Sequence, residues 1–294
     1  MTKLFALIPL VAFGSWLIAH AADEPAANGA LDPLKVLLIA GGCCHDYAGQ
    51  KDLLKAGIES RLNARVDIEY TPDKSTKAVF PRYLEADWAA GYDVILHDEC
   101  SADVKNKDYV DRILAAHKYG VPAVNLHCAM HSYRWGDFRK AVKPGGDNAG
   151  WYEMIGIQST GHGPHLPINV TALDKEHPIT MGMKDWSIDK DELYNNVQVF
   201  DTAHPLLSGK QMVPPRKKRG QPADPNAKAK EVSAVVAWTN EYGPRKTKTF
   251  SVTLGHYSEI VSDDRYMTLV TRGLLWVTGN LAGDGSAKAG YGQE

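Results

Sequence analysis

The strongest constraint on the fold is a series of short, unbroken apolar runs separated by segments with helical spacing. Leu34 to Ala40 runs apolar and stops at Gly41-Gly42, which reads as a buried strand ending in a tight turn. Gln50 to Leu62 places Leu54, Ile58 and Leu62 on one helical face, and Val66 to Tyr70 is a second strand. Tyr92 to Leu96 is a third, followed by a helix marked by Val110, Ile113, Leu114 and His117. Gly120 and Pro122 end that helix before a fourth strand, Ala123 to Leu126. Strands that are apolar at every position are buried on both faces, as in a parallel sheet covered by helices. The rhythm predicts an α/β fold with a mostly parallel central sheet. Later, Val232–Trp238 and Lys248–Leu254 flank a Tyr242-Gly243-Pro244 turn and read as an antiparallel pair finishing the sheet. Tyr266 to Leu281 closes the fold as a helix.

The segments outside this pattern divide the chain further. Residues 1–21 join a basic start at Lys3, an apolar stretch from Leu4 to Ile18, and Ala19-His20-Ala21. That is the layout of a secretory signal peptide cleaved after Ala21, and the apolar stretch is shorter than the ~20 residues of a spanning helix. The expectation is an exported protein, periplasmic or secreted, with no membrane span after cleavage. Residues 22–33 read as a linker, 34–281 as the domain, and 282–294 as a Gly/Ala-rich flexible tail. Within the domain, the Pro-, Gly-, Lys- and Arg-rich 208–230 reads as a surface insertion. Lysine plus arginine number 33 against 35 acids, which excludes a phosphate-backbone binder and so nucleic acid as a partner. The four cysteines are too few for a disulfide scaffold. Export would expose them to oxidation, so a Cys100–Cys128 bond and small buried thiols are both open; adjacent Cys43 and Cys44 are not expected to bridge each other.

The chemistry collects in the histidines. Of 11, most follow an apolar run or sit beside glycine. The first strand delivers His45-Asp46, the third His97-Asp98-Glu99, the fourth His127 to His131, and the late strand Gly255-His256. In open parallel sheets, ligands bind beyond the carboxyl ends of the strands, so these residues converge on one expected rim. His127 and His131 are four apart where a helix should begin, which would aim both the same way. Their spacing resembles a metal pair, without the glutamate a zincin helix needs at the second position. His162 and His165 form another close pair. Two chemistries stay open: a zinc-like divalent metal held by imidazole and carboxylate, with His131 and His165 as candidate ligands, or a metal-free site where histidines exchange protons.

Several stretches together resemble the ThuA-like (trehalose-utilisation) family. They are Gly41-Gly42 with His45-Asp46; Asn125-Leu126-His127-Cys128-Ala129-Met130-His131-Ser132; Trp151 to Gly156 with His162 and His165; and His177-Pro178-Ile179-Thr180. Asp191-Glu192-Leu193-Tyr194, Val236-Ala237-Trp238, Thr253-Leu254-Gly255-His256 and Arg272-Gly273 to Trp276 follow in order. The resemblance implies a flavodoxin-like, class I glutamine amidotransferase-like three-layer sandwich and a role in carbohydrate utilisation. At the strand-to-helix elbow where true glutamine amidotransferases carry a cysteine, this chain places His127, with Cys128 displaced by one. Glutamine hydrolysis is therefore not expected.

In this reading the protein acts on a small-molecule carbohydrate, cleaving a sugar or keto-glycoside as a hydrolase or lyase. His127 and His256 are the acid/base candidates, with His45 and Glu99 beside them. Asp46, His162 and Glu192 would bind substrate, and Trp135, Trp151 and Tyr194 would stack on sugar rings. A non-catalytic carbohydrate-binding protein and a metal-dependent hydrolase of another substrate class are the alternatives, and a homo-oligomer is compatible with either.

Overall fold

The computed structural model describes residues 31–215 and 226–293. The expected signal peptide and nearly all the linker lie outside them, as does most of the basic run from Pro214 to Arg219. Strand β1 (Leu34–Gly42) leads into helix α1 (Tyr47–Glu59), then β2 (Ala64–Thr71), β3 (Val94–Cys100), helix α2 (Lys107–Lys118) and β4 (Ala123–Leu126). The four strands are parallel where they pair, with β1 between β2 and β3, and β3 beside β4. Alternation along the strands divides the core into two layers. Val36, Leu38, Ala40, Leu96 and Val124 pack on one face with Leu54 and Ile58 of α1. Leu37, Ile39 and Ile95 pack on the other with Val110 and Ile113 of α2. Each buried Val, Leu or Ile among them contributes about 1.5–3 kcal/mol by leaving water.

After β4 the chain forms a 3-10 turn at His127–His131 and a short helix α3 (Gly150–Ile155). It then makes three long strands, β5 (Ile157–Ala172), β6 (Trp186–Val199) and β7 (Ala203–Val213), and a hairpin of β8 (Lys230–Tyr242) and β9 (Thr247–Val252). Short helix α4 (Ser258–Val261) and helix α5 (Asp264–Val277) complete the elements. The sheet has nine strands in the order β2-β1-β3-β4-β9-β8-β7-β5-β6.

This corrects the expectation of a mostly parallel sheet: it is mixed, parallel as far as β9 and antiparallel beyond it. The β8–β9 turn is too short for a crossover, so the two strands must run antiparallel. Yet β9 also pairs in parallel with β4, which places it at the centre of the sheet rather than at its finish. The antiparallel extension escaped the apolar-run criterion because β5 and β6 mix buried with partly buried and exposed positions and carry many polar residues. Only one face of such a sheet must be apolar.

Two boundaries also move. The expected insertion at 208–230 is partly regular structure: Ser208 to Val213 belong to β7, which pairs with β8 from Lys230 onward. The expected flexible tail is tied back onto the α1–β2 connection. Asn63 N donates to Tyr291 O (2.9 Å), and Gln293 Nε2 donates to Glu59 O and Leu62 O (2.8 Å each). Among the described residues no helix is long and apolar enough to cross a membrane.

Candidate functional site

Three elements of the parallel half deliver imidazoles to one point at the carboxyl ends of their strands. His45 comes from the loop after β1, His127 from the turn after β4, and His256 from the loop after β9. The His45 ring lies 4.6 Å from both the His127 and His256 rings, and those two are 5.6 Å apart. One ring nitrogen from each of the three lies within 4.8 Å of the others. The antiparallel extension adds a second group from facing strands: His162 and His165 on β5, and Glu192 on β6.

Glu192 joins the two groups. Its Oε2 lies 3.4 Å from His127 Nε2, while Oε1 lies 2.9 Å from His165 Nε2, 3.2 Å from His256 Nδ1 and 3.4 Å from His162 Nε2. Burial alone would raise the Glu192 pKa; the close approach of His127 and His256, with the charge of His127 and His162, outweighs it and holds the carboxyl well below the usual range. His45 is held below the usual imidazole range by burial, and its neighbours His127 and His256 add to this against a hydrogen bond with Cys128. Exposure is graded across the cluster: His127 is 3% exposed, His256 15%, His165 32% and His162 39%. The outer imidazoles meet solvent; the inner one is sealed.

The rigidity of the cluster has visible causes. His127 sits at φ 40°, a left-handed conformation that a non-glycine residue adopts at some cost, and its Nδ1–H donates to Thr253 O at 2.5 Å. Asp191 accepts from the backbone N–H groups of Gly255 (3.0 Å), His256 (3.3 Å) and Glu192 (2.8 Å). Burial raises its pKa, while those donors and His127 pull it back. From the opposite side Gln50 Nε2 donates to the carbonyls of Gly255 (3.3 Å) and His256 (3.2 Å). Gly255, at φ 117°, permits the bend. Asp191, Gln50 and Tyr257 were not among the expected site residues, although Asp191 lies in a stretch that carries the family resemblance. Asp191 could have been found as a polar neighbour of Glu192, whereas Gln50 carries no signal beyond its place on the inner face of α1.

Of the expected site residues, His45, His127, His162, His165, Glu192 and His256 come together, and Tyr194 forms the floor. Its buried ring lies 5.0 Å from that of His127 and 6.0 Å from that of His162. Asp46 stands beside the loop as the N-cap of α1, accepting from Gly49 N at 3.2 Å and from Ser258 Oγ at 3.4 Å. The others lie elsewhere. His131 does not share the direction of His127, because a 3-10 turn has three residues per turn and i, i+4 is not one face. It stacks on the Tyr194 ring, with centroids 4.1 Å apart, and bonds Ser159 Oγ.

Glu99 is not at the rim, because β3 continues through Cys100 and Glu99 points into the α2 layer. There its Oε1 accepts from Tyr83 (3.0 Å) and Tyr133 (3.1 Å) and faces His97 Nδ1 (3.0 Å). Trp151 is core, its Nε1 donating to Ala129 O, and Trp135 lines a separate groove with Lys107 and Asp147. Of the cysteines, adjacent Cys43 and Cys44 form the disulfide that was not expected, while Cys100 and Cys128 are free and buried, one of the two readings left open for them. The Cys128 thiol, bonded to Cys100 Sγ at 2.7 Å and buried, is held well above its usual pKa, so it is not poised as a thiolate nucleophile.

The cluster can therefore hold and pass protons, and one route leads outward. His165 accepts at one nitrogen what it gives at the other: Nε2 faces Glu192 Oε1, and Nδ1 lies 2.6 Å from the Tyr257 hydroxyl. Tyr257 lines a cavity of about 630 Å³ with Trp186, Lys190, Leu254, Arg265 and Tyr266. None of the clustered imidazoles lines that cavity, so Tyr257 and Leu254 connect it to the chemistry.

Comparison with known proteins gives a family and a fold. Residues 35–277 match the ThuA family model, described as trehalose utilisation. A ThuA-like protein of Parabacteroides merdae superposes with a TM-score of 0.58 at 17% identity, covering 85% of this chain and 92% of its own. A ThuA-like protein of Bacteroides uniformis superposes with a TM-score of 0.55, also at 17% identity, covering 86% and 95%. No curated protein matches the chain.

Proposed function

The chain belongs to the ThuA family of trehalose utilisation, and we propose that it is an exported enzyme cleaving a sugar or keto-glycoside by proton transfer. The observation that carries this reading is the continuous path from buried Glu192 through His165 to Tyr257 at the cavity wall. A cavity of 630 Å³ is in the range of small-molecule sites, and its aromatic and charged lining suits a polyhydroxylated ligand.

A keto-glycoside asks little of such a site. Its carbonyl acidifies the neighbouring C–H; a base takes that proton, the electron pair forms a C=C bond, and the glycosidic C–O bond breaks. The departing oxygen then needs one proton. His165 is placed to exchange protons through the Tyr257 hydroxyl, and the Glu192 carboxylate orients its ring. His127, sealed below, acts on this route only through Glu192, and the inner imidazoles set the carboxylate's position.

The test is turnover of a panel of glycosides and keto-glycosides by the purified protein and by Glu192→Gln, His165→Gln and Tyr257→Phe. Each substitution is expected to lower kcat by 10²- to 10⁴-fold, about the worth of one positioned acid or base. A wild-type protein that leaves the panel unchanged while a sugar raises its melting temperature would make it a binding protein and overturn the proposal. Export is checked separately: the protein recovered from an extracytoplasmic fraction should begin at Ala22.

A further inference from the structure

We infer that His45, His127 and His256 are the ligands of a divalent transition-metal ion, with Glu192 Oε2 beside them as a fourth donor. The inference goes beyond the proton-transfer reading and stands without it, because it rests on donor geometry and not on a substrate.

The first observation is convergence. Three imidazoles from loops far apart in sequence bring one nitrogen each within 4.8 Å of the others, with His127 buried and His45 and His256 partly buried. The second is what those nitrogens lack. His45 Nδ1, His127 Nε2 and His256 Nδ1 are all buried without a hydrogen-bond partner. Glu192 approaches two of them, at 3.4 and 3.2 Å, without the alignment of a hydrogen bond. Buried polar atoms are nearly always satisfied, and an unsatisfied nitrogen on each of three clustered rings calls for a shared partner. Three imidazolium ions so close would repel, while three lone pairs so close would repel less but remain unused. A cation satisfies all three at once.

The third observation is the tautomer of His127. Its Nδ1–H donates to Thr253 O at 2.5 Å, which leaves Nε2 as the lone-pair nitrogen aimed at the cluster. Metal-binding histidines are characteristically held in this way, the second nitrogen donating to a carbonyl that fixes ring and tautomer together. Backbone support continues around the site. Asp191 and Gln50 clamp Gly255-His256 from two sides, and the left-handed turn at His127 holds its ring inward.

The donor set names the class of ion. Three imidazoles and a carboxylate suit zinc, cobalt, iron or manganese rather than magnesium or calcium, which prefer all-oxygen shells. Metal–nitrogen bonds of about 2.0–2.1 Å would draw the three rings inward from their present spacing. Outside this group, His162 and His165 remain free for proton exchange, and Glu192 serves both, with Oε2 toward the ion and Oε1 toward His165.

The test uses the purified protein stripped with a chelator and then titrated with Zn²⁺ against a chromophoric competitor. One equivalent should bind, and His45→Ala and His256→Ala, with circular dichroism unchanged, should weaken it by at least 100-fold. His204→Ala, at a surface ion pair, should bind as the wild type does. If an alanine variant fails to fold, His45→Gln and His256→Gln give the same reading. Co²⁺ in the wild-type protein should produce visible d–d bands without a thiolate charge-transfer band. A folded wild-type protein that binds no equivalent, binding that survives the histidine substitutions, or a thiolate band from the cysteine group would each overturn the inference. A protein that turns over a glycoside but binds no metal would sink the metal site alone; one that binds metal but converts no glycoside would sink the proton-transfer reading alone.

Discussion

Asp191 and Glu192 are neighbours on β6 with opposite tasks. Glu192 faces imidazoles, whereas Asp191 spends its oxygens on three backbone N–H groups. Replacing Asp191 by Asn leaves at least one of those donors facing an amide NH₂, at a cost of about 1–3 kcal/mol for a buried unsatisfied group. Asp191→Asn should therefore melt a few degrees lower and should also lose turnover, because the His256 loop drifts. An unchanged melting curve would refute the clamp. A second residue-scale prediction concerns His117. Its Nδ1–H donates to Val121 O, so Nε2 accepts from His97 Nε2–H at 3.0 Å. Burial, reinforced by His97, lowers its pKa from 6.5 to about 3. The unfolded chain binds that proton below about pH 6.5 while the folded chain does not until about pH 3. Stability is thus complete above pH 6.5 and falls as pH drops, by up to about 1.4 kcal/mol per unit. Urea unfolding at pH 7 and pH 5 should differ by about 2 kcal/mol from this group, and His117→Gln should lose that part of the difference.

At the scale of elements, much of the architecture was legible and the errors share a cause. The strands β1 to β4 and helices α1 and α2 announce themselves because parallel strands must be apolar throughout. Strand ends are a weaker signal. His97-Asp98-Glu99 looks like a polar exit from a strand, but polar residues can continue a strand where each finds a buried partner. Alternation then sends His97 and Glu99 to the α2 layer and Asp98 to the other face, toward Tyr266 and Tyr47. The same limit hid the 3-10 turn that parts His127 from His131, since four residues apart means one face only in an α-helix. It also hid the β5–β6 pair, although His162, His165 and Glu192 were each singled out; only the register opposing His165 to Glu192 explains why they belong together. The loop after β1 gives this scale its own check. With Cys43 bonded to Cys44, alkylation of the unfolded, unreduced chain should label two cysteines, Cys100 and Cys128, and reduction should raise the number to four. Labelling of Cys43 before reduction would refute the pairing.

For the whole molecule, the consequential fact is where β9 lies. It is the seam of the sheet, parallel to β4 on one side and antiparallel to β8 on the other. The seam brings His256 level with His45 and His127, while the strands beyond it carry His162, His165 and Glu192 back toward the same rim. Neither half contains the site. The parallel half has three imidazoles and no acid among them; the antiparallel extension has the carboxylate and the exposed pair. A ligand bridging the two should stabilise the fold as one unit. An ion that binds only the folded chain stabilises it by about 2.7 kcal/mol at one hundred times its dissociation constant. For a chain of this size that corresponds to a rise in melting temperature of roughly 5–10 °C. Zn²⁺ should therefore raise the Tm of the stripped protein by this amount, and hydrogen exchange should slow in the loops after β1 and β9 and in β6 together. His127→Ala should abolish both effects. Protection confined to one half would mean that the ion rests on that half alone, and the bridging role assigned to Glu192 would fall.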